Sequence, residues 1–430
     1  MSVQALATRT VPTATRSVVA GKKTSLARRL PMVLVCVGIA GLPVLTPAGP
    51  GNTGPADLFT LSAVIAVLWV AVRYRERVRA HYAPAILVYF LAGGLAAVLS
   101  PSPGGGLIAL MQDLFMLGWA IAVAHVARTE SGLSTVAAAW SYVAVGWALA
   151  LDIGVLVHLS ALAGYTADEG SRAALTFGDP NRAGAYFFIS FFVLMASRRP
   201  RHWLLRIIAE ILVLLGVVYT GSNSAVVGVL LGVAIVLVIS CVHRFGARPV
   251  MTAIAVLVIA TGYVSTKVDP RALQRRAVNE GQLLANTLGR SGKGGEDRGL
   301  LLKENLRLYR AGSVLGAGPG RTKATLAKEQ AQYVKEAHND YMATLVERGI
   351  GGLVGIFLLA CALASRARVL CRRAARSAAL PRPHVLVGAV VAVAVSGMFH
   401  EVLHWRHVWA LLAVYAAAAT VARHKQRGMA

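Results

Sequence analysis

The sequence predicts an all-α, polytopic membrane protein of about twelve transmembrane helices, with one large, partly helical loop on the outer face. The first observation is composition. Hydrophobic residues make up 56% of the 430-residue chain and charged residues 15%, against roughly 25% charged in ordinary globular domains. Such a residue set cannot cover a soluble surface. The second is that apolar runs long enough to cross a bilayer core of roughly 30 Å recur along the whole chain. The third is charge placement: Lys and Arg number 44 against 19 Asp and Glu, a net +25, and the basic residues fall in alternate segments between the runs.

The runs lie at 30–46, 56–72, 83–99, 107–127, 135–159, 183–197, 203–219, 224–242, 249–266, 341–364, 384–400 and 405–422. Before the first comes a basic leader with Lys22, Lys23, Arg28 and Arg29. It resembles a signal peptide, but its length and the further spans favour a retained first helix. The organisation expected is therefore a cytoplasmic tail at 1–29, nine helices over 30–266, an outer loop at 267–340, three helices over 341–422 and a cytoplasmic tail at 423–430.

Orientation follows from Lys and Arg, which collect on the cytoplasmic side. With both termini inside, 26 of the 44 basic residues are cytoplasmic, while the short outer loops at 47–55, 100–106 and 220–223 hold none. The outer segment 267–340 carries 14 basic and 8 acidic residues. Long loops translocate whatever their charge, so this segment is a basic module on the outer face. Its middle, Gly289 to Gly295, reads as a flexible linker, and residues 299–312 and 321–337 have helical character. Basic residues scattered between helices also argue against nucleic-acid binding, which gathers them on one folded face. The four cysteines, Cys36, Cys241, Cys361 and Cys371, lie in spans or at the inner face, so no disulfide framework is expected outside.

Several clusters carry chemistry. Gly316-Ala317-Gly318-Pro319-Gly320 is no dinucleotide fingerprint, because no strand precedes it and Pro319 removes an amide donor. It is a turn or part of a phosphate site, with Arg321 and Lys323 following at a helix start. His338-Asn339-Asp340-Tyr341 stands where the outer loop meets a span. Histidine there suits a general base, whereas Asn339 or Asp340 suits a helix cap. His400-Glu401-Val402-Leu403-His404 matches HExxH, with His407 or Asp340 as imaginable third zinc ligands. The motif straddles a span end and a short turn, so interfacial polar residues beside Trp405 and Trp409 are the simpler reading. Asp179-Pro180-Asn181-Arg182 opens a span from outside, just after Arg172, and its arginine could hold a lipid phosphate. Asp113 and Glu210 lie within spans, where an ionisable group is either functional or half of a structural ion pair.

In this order the blocks resemble the O-antigen ligase and polymerase superfamily, membrane glycosyltransferases of GT-C-like architecture that act on polyprenyl-pyrophosphate-linked glycans. The resemblance rests on Asp179-Pro180-Asn181, Thr220-Gly221-Ser222-Asn223-Ser224-Ala225, Arg298, the glycine turn, His338 to Tyr341, and Glu347-Arg348-Gly349. The blocks cover about 180–350, and the span layout extends the match along the chain. The resemblance implies that His338 takes the acceptor's proton and that arginines grip the donor's pyrophosphate. Arg298 is the first candidate by motif position, followed by Arg182, Arg172, Arg321 and Lys323; Asn181, Asn223, Gly316, Gly318, Gly320, Asn339 and Asp340 complete the site candidates. Departures are Asn223, where many relatives carry arginine, and Leu302 and Ser313, where relatives carry aromatic and proline residues. The implied reaction is inverting and needs neither metal nor cofactor. Its donor is a polyprenyl (undecaprenyl) pyrophosphate glycan, and its acceptor a glycan or glycolipid such as lipid A-core, at the outer face of a bacterial inner membrane. The alternatives are a polymerase of the same superfamily, a polyprenyl-glycan flippase, for which no internal repeat is visible, and a zinc protease.

Overall fold

The computed structural model describes residues 26–46, 53–165, 171–265, 293–330, 334, 336–372 and 375–428. The leader before residue 26 and residues 267–292 of the outer loop lie outside the described residues, among them 289–292 of the expected linker; its last residues, 293–295, are helical rather than a flexible link.

Among the described residues the chain is helical, with no strand. Its helices are α1 (Leu26–Gly41), α2 (Pro55–Tyr74), α3 (Ala83–Leu99), α4 (Pro103–Val126), α5 (Glu130–Leu156) and the short α6 (Ser160–Ala163). After these come α7 (Pro180–Ser197), α8 (Trp203–Tyr219), α9 (Asn223–Phe245), α10 (Ala247–Ser265), α11 (Lys293–Ala311) and α12 (Thr322–Lys328). The last three are α13 (Asp340–Leu370), α14 (Val385–Ser396) and α15 (Arg406–Gly428). Each apolar run of the sequence coincides with one helix. Five of them, α2, α4, α5, α9 and α13, are long and apolar enough to cross a membrane by length and composition. The chain is thus a multi-pass helical membrane protein.

Local chemistry sets the helix starts. Proline stands at the first turn of α2, α4 and α7, where its missing N–H costs nothing. Asp179 caps α7 by accepting from the Asn181 N–H at 2.8 Å, and Ser222 caps α9 through the Ala225 N–H at 3.4 Å. Two expectations need correction. The second loop helix stops at Lys328 rather than running to 337, because Gln330 takes a left-handed backbone with φ 50°. The span expected at 384–400 is likewise shorter: α14 ends at Ser396, so the HExxH stretch lies beyond it, with a short 3₁₀ turn at Val402–His404.

The bundle packs around α7, α14 and α15, whose residues are buried on nearly every side. Small residues let the helices approach closely. A Cβ on Gly388 of α14 would stand 2.6 Å from the Gly232 carbonyl oxygen of α9, so these two backbones touch. Helix α13 lies along α3 and is broken within its length at Gly349, which has φ 61° and ψ −160°. The break frees backbone carbonyls that have no water to turn to inside a bundle. The glycine turn supplies the missing donors. Ala317 N–H reaches the Val346 carbonyl at 2.8 Å, Gly318 N–H reaches that of Glu347 at 3.0 Å, and Ile350 N–H returns to Val314 at 3.2 Å.

Candidate active site

An open cavity of about 1570 Å³ lies at the end of the bundle that carries α11 and α12. Part of its lining is apolar, with Leu58 and Leu61 of α2 and Leu107, Ile108, Met111 and Phe115 of α4. Part is polar and includes Arg182, Lys323, Glu336, His338, Glu347, Glu401 and His404. The two parts together suit a ligand with a greasy tail and a charged head.

The His338-Asn339-Asp340-Tyr341 block is a clasp. Asn339 caps α13, its Oδ1 accepting from the N–H groups of Tyr341 and Met342 at 3.0 Å each, while its Nδ2 donates to the Met398 carbonyl at 3.0 Å. Buried Asp340 accepts from the Val402 N–H at 3.0 Å and the Leu403 N–H at 3.3 Å. Tyr341 Oη donates to the Ala394 carbonyl at 2.7 Å. These bonds tie the start of α13 to the segment before α15 and leave exposed His338 on the cavity with φ 48°. A non-glycine residue in that region carries strain that its surroundings must hold. Glu401 contributes to the hold: the His338 N–H donates to its Oε1 at 3.2 Å.

Pairing decides which of the cavity's charges remain available. Asp57 engages Arg406, Arg406 Nε donating to its Oδ1 at 2.6 Å and Nη2 to its Oδ2. Glu401 Oε2 stands 3.6 Å from His404 Nε2. Burial by itself would lower the His404 pKa, but the Glu401 carboxylate, with Asp113 and Asp340 behind it, outweighs burial and pushes it up to about 9. His404 is therefore a cation at neutral pH. Arg182 lines the cavity, and its buried Nε has no hydrogen-bond partner among the described residues. Arg182 and Lys323 are thus the cations of this lining that no carboxylate hydrogen-bonds among the described residues.

The glycine turn is used differently from the phosphate loop considered for it. Gly316, Gly318 and Gly320 all have positive φ, at 94°, 104° and 68°; the first two amides go to backbone carbonyls, and the end of the turn already holds a carboxylate. Glu347 Oε2 accepts from the Gly320 N–H at 2.7 Å, and Oε1 accepts from the Thr322 hydroxyl at 2.8 Å and its N–H at 3.3 Å. The turn therefore positions Lys323 and α12 and offers these amides to Glu347. The next residue, buried Arg348, forms an ion pair with Asp113 and stacks on the Tyr89 ring at 4.1 Å. Asp113 is the structural half of an ion pair.

The remaining sequence candidates divide. Arg172 is buried away from the cavity, its Nε donating to the Thr220 carbonyl at 3.0 Å and its Nη2 to Asn181 Oδ1 at 2.9 Å. Asn181 also accepts from the Ser222 hydroxyl at 3.1 Å. The Asp-Pro-Asn and Thr-Gly-Ser-Asn blocks thus join into one hydrogen-bonded brace beneath Arg182. Asn223 is exposed at the start of α9 and is not on the cavity wall. Arg321 sits at the start of α12 and points toward Gly105 of α4 rather than into the wall. Arg298 belongs to α11, and its side chain lies outside the described residues. Sequence reasoning missed Asp57, Arg406, Glu347 and Glu401. The last was visible inside HExxH and was read as an interfacial polar residue; Glu347 was visible in the Glu347-Arg348-Gly349 block without a role.

A family model described as O-antigen ligase matches residues 208–357. The match begins inside α8, takes in the glycine turn and His338, and ends inside α13. None of the curated proteins matches the chain.

Proposed function

We propose, from the match of residues 208–357 to the O-antigen ligase model, that the chain is a member of the O-antigen ligase and polymerase superfamily and transfers a preassembled glycan from a polyprenyl pyrophosphate to an acceptor hydroxyl, without metal, at the outer face of a bacterial inner membrane. The observation that carries the reading is the meeting of His338, Arg182 and Lys323 on one cavity that also has a large apolar lining.

The polyprenyl chain lies along Leu58, Leu107 and Met111, and the pyrophosphate rests against Arg182 and Lys323. Arg298 is a further candidate contact for it by its motif position. Histidine is suited to proton transfer near neutral pH. His338 removes the proton from the acceptor hydroxyl as that oxygen attacks the anomeric carbon. The bond from that carbon to the phosphate oxygen breaks, and its electron pair leaves with the polyprenyl pyrophosphate. Fixed cations stabilise the charge that develops there. Attack from the face opposite the leaving group inverts the anomeric centre. The cationic His404 is a third positive group in the same lining.

Both termini are cytoplasmic in this reading, and the loop end of the bundle faces the periplasm. Support comes from Arg198, Arg382 and Lys425, which lie at the helix ends opposite the cavity, where the positive-inside rule puts them.

The experiment is reconstitution in liposomes with lipid-linked glycan and a glycolipid acceptor such as lipid A-core. Transfer by the parent and its loss in His338→Ala supports the assignment. Donor that crosses the bilayer without transfer identifies a transporter. Elongated chains left on the carrier identify the polymerase rather than the ligase.

A further inference from the structure

A second cavity, of about 640 Å³, lies at the opposite end of the same helices. Helix α7 reaches the first cavity with Arg182 and the second with Arg198, just beyond its C-terminus. Helix α15 does the same with Arg406 and Lys425. At 18 residues, α7 separates its two ends by about 27 Å.

The lining of this cavity contains Arg198, Arg376, Arg382, His384 and Lys425, with Ser240 and Ser377 among them and, among the described residues, no Asp or Glu. Positive-inside charges need only be scattered to orient a chain, whereas these converge on one concavity and the backbone beneath them is pinned. The Arg382 N–H donates to the Ala196 carbonyl of α7 at 3.1 Å. Lys425 Nζ of α15 donates to the Arg376 carbonyl at 3.1 Å. The Leu380 N–H closes a turn on Ser377 Oγ at 3.1 Å, and His384 Nε2 stands 3.4 Å from Ser240 Oγ of α9. Three helices therefore hold the 375–384 segment in place.

The cations act on one another. Burial, then the like charges of Arg198 and Arg206, push Arg382 below the ordinary guanidinium value; Glu210 of α8 opposes this and is not part of the wall. Guanidinium groups gathered without a lining carboxylate repel each other, and an anion with several oxygens relieves that repulsion. The planar fork of arginine matches the oxygens of phosphate.

We propose that this pocket is a binding site for a phosphate group, carried either by an anionic lipid headgroup or by a soluble phosphate. Its place at the ends of the helices is level with headgroups, where each basic residue near an anionic surface contributes measurably. Nothing in the glycan-transfer reading requires this site, so the two stand or fall separately.

The test uses the full-length protein with two probes. In one arm, protein extracted from vesicles of phosphatidylcholine and phosphatidylglycerol is analysed by native mass spectrometry for retained phosphatidylglycerol. In the other, inorganic phosphate is titrated calorimetrically into protein held in phosphatidylcholine nanodiscs. Saturable binding in the first arm identifies a lipid, and in the second a soluble ligand. Combining Arg198→Gln, Arg376→Gln and Arg382→Gln is expected to weaken binding about a hundredfold, roughly fivefold per cation. An equal loss of charge through Arg75→Gln, Arg77→Gln and Arg79→Gln, outside the pocket, leaves it unchanged. The proposal is overturned if the parent binds neither probe, or if both triple variants lose binding alike. The first of these needs no variant to fold.

Discussion

The backbone N–H of His338 donates to Glu401 Oε1 at 3.2 Å, across 63 residues of sequence, and the other oxygen of that carboxylate faces His404 at 3.6 Å. One side chain thus helps to hold the strained histidine backbone and keeps a neighbouring histidine charged.

The pH dependence of this arrangement has a definite sign. The folded-state pKa of His404 is raised to about 9, above the ordinary value of about 6.5. Its contribution to stability is therefore complete below about pH 6.5 and is lost as pH rises through about 9. With 43% of the His404 side chain exposed, solvent screening holds the contribution to on the order of 1 kcal/mol. Thermal unfolding in detergent should show this decline in the parent, and Glu401→Gln should flatten it. An unchanged slope in the variant removes Glu401 as the cause.

Replacing His338 with alanine is expected to lower the transfer rate by about 10²–10⁴-fold, the usual contribution of a positioned general base. Folding should persist, since the side chain of His338 is exposed and its hydrogen bond to Glu401 comes from the backbone. Single-turnover transfer with purified donor measures the first expectation, and the elution profile in detergent the second. Parental turnover in that variant excludes the base assignment.

Arg182→Ala should reduce turnover by about 10²–10³-fold, as removing a fixed donor to developing charge does. Arg182→Lys should recover part of it, keeping the charge and losing the fork. Arg172→Ala is expected to act differently. It removes the brace between Asn181 and Thr220, so folded yield falls before activity per folded molecule does. Equal effects of both substitutions on yield would contradict this division.

The break in α13 depends on backbone that only glycine tolerates. A Cβ on Gly349 would stand 2.0 Å from the Val314 carbonyl oxygen, and one on Gly316 2.6 Å from the Glu347 carbonyl. With strain of about 1–3 kcal/mol for the positive φ added to these contacts, Gly349→Ala and Gly316→Ala are each expected to lower the unfolding temperature. Melts matching the parent would show that the turn can detach from the helix at little cost.

In the Asp113–Arg348 pair Arg348 is buried and Asp113 partly so, and removing Asp113 leaves a buried guanidinium uncompensated. Asp113→Ala is expected to cost about 3–5 kcal/mol, while the double change Asp113→Leu, Arg348→Met restores most of that stability. Unfolding of the two single variants and the double one, taken as a cycle, gives the coupling.

The sequence was informative to different degrees about different parts. Every helix that carries an apolar run could be placed because the bilayer demands continuous apolar stretches of fixed length. The capping role of Asn339 was readable because caps are local. The helix after Arg321 was overextended, since its end depends on the backbone of one residue, Gln330, and not on composition. The glycine turn invited a phosphate because nests bind anions. The anion it holds is Glu347, 27 residues further along, and no local pattern announces such a partner.

The chain by itself determined the membrane class, the order of the helices and the blocks that carry the family likeness, because hydrophobic length, charge alternation and local motifs are properties of consecutive residues. Tertiary structure decided which charges are free. Arg172, Arg182, Arg348 and Arg406 look alike in sequence, yet Asn181 and Thr220 occupy the first, Asp113 the third and Asp57 the fourth. Arg182 is left facing the cavity. A charge's availability depends on partners brought beside it by helix packing, and in a dry bundle every pairing that can form removes a cation from the substrate's reach.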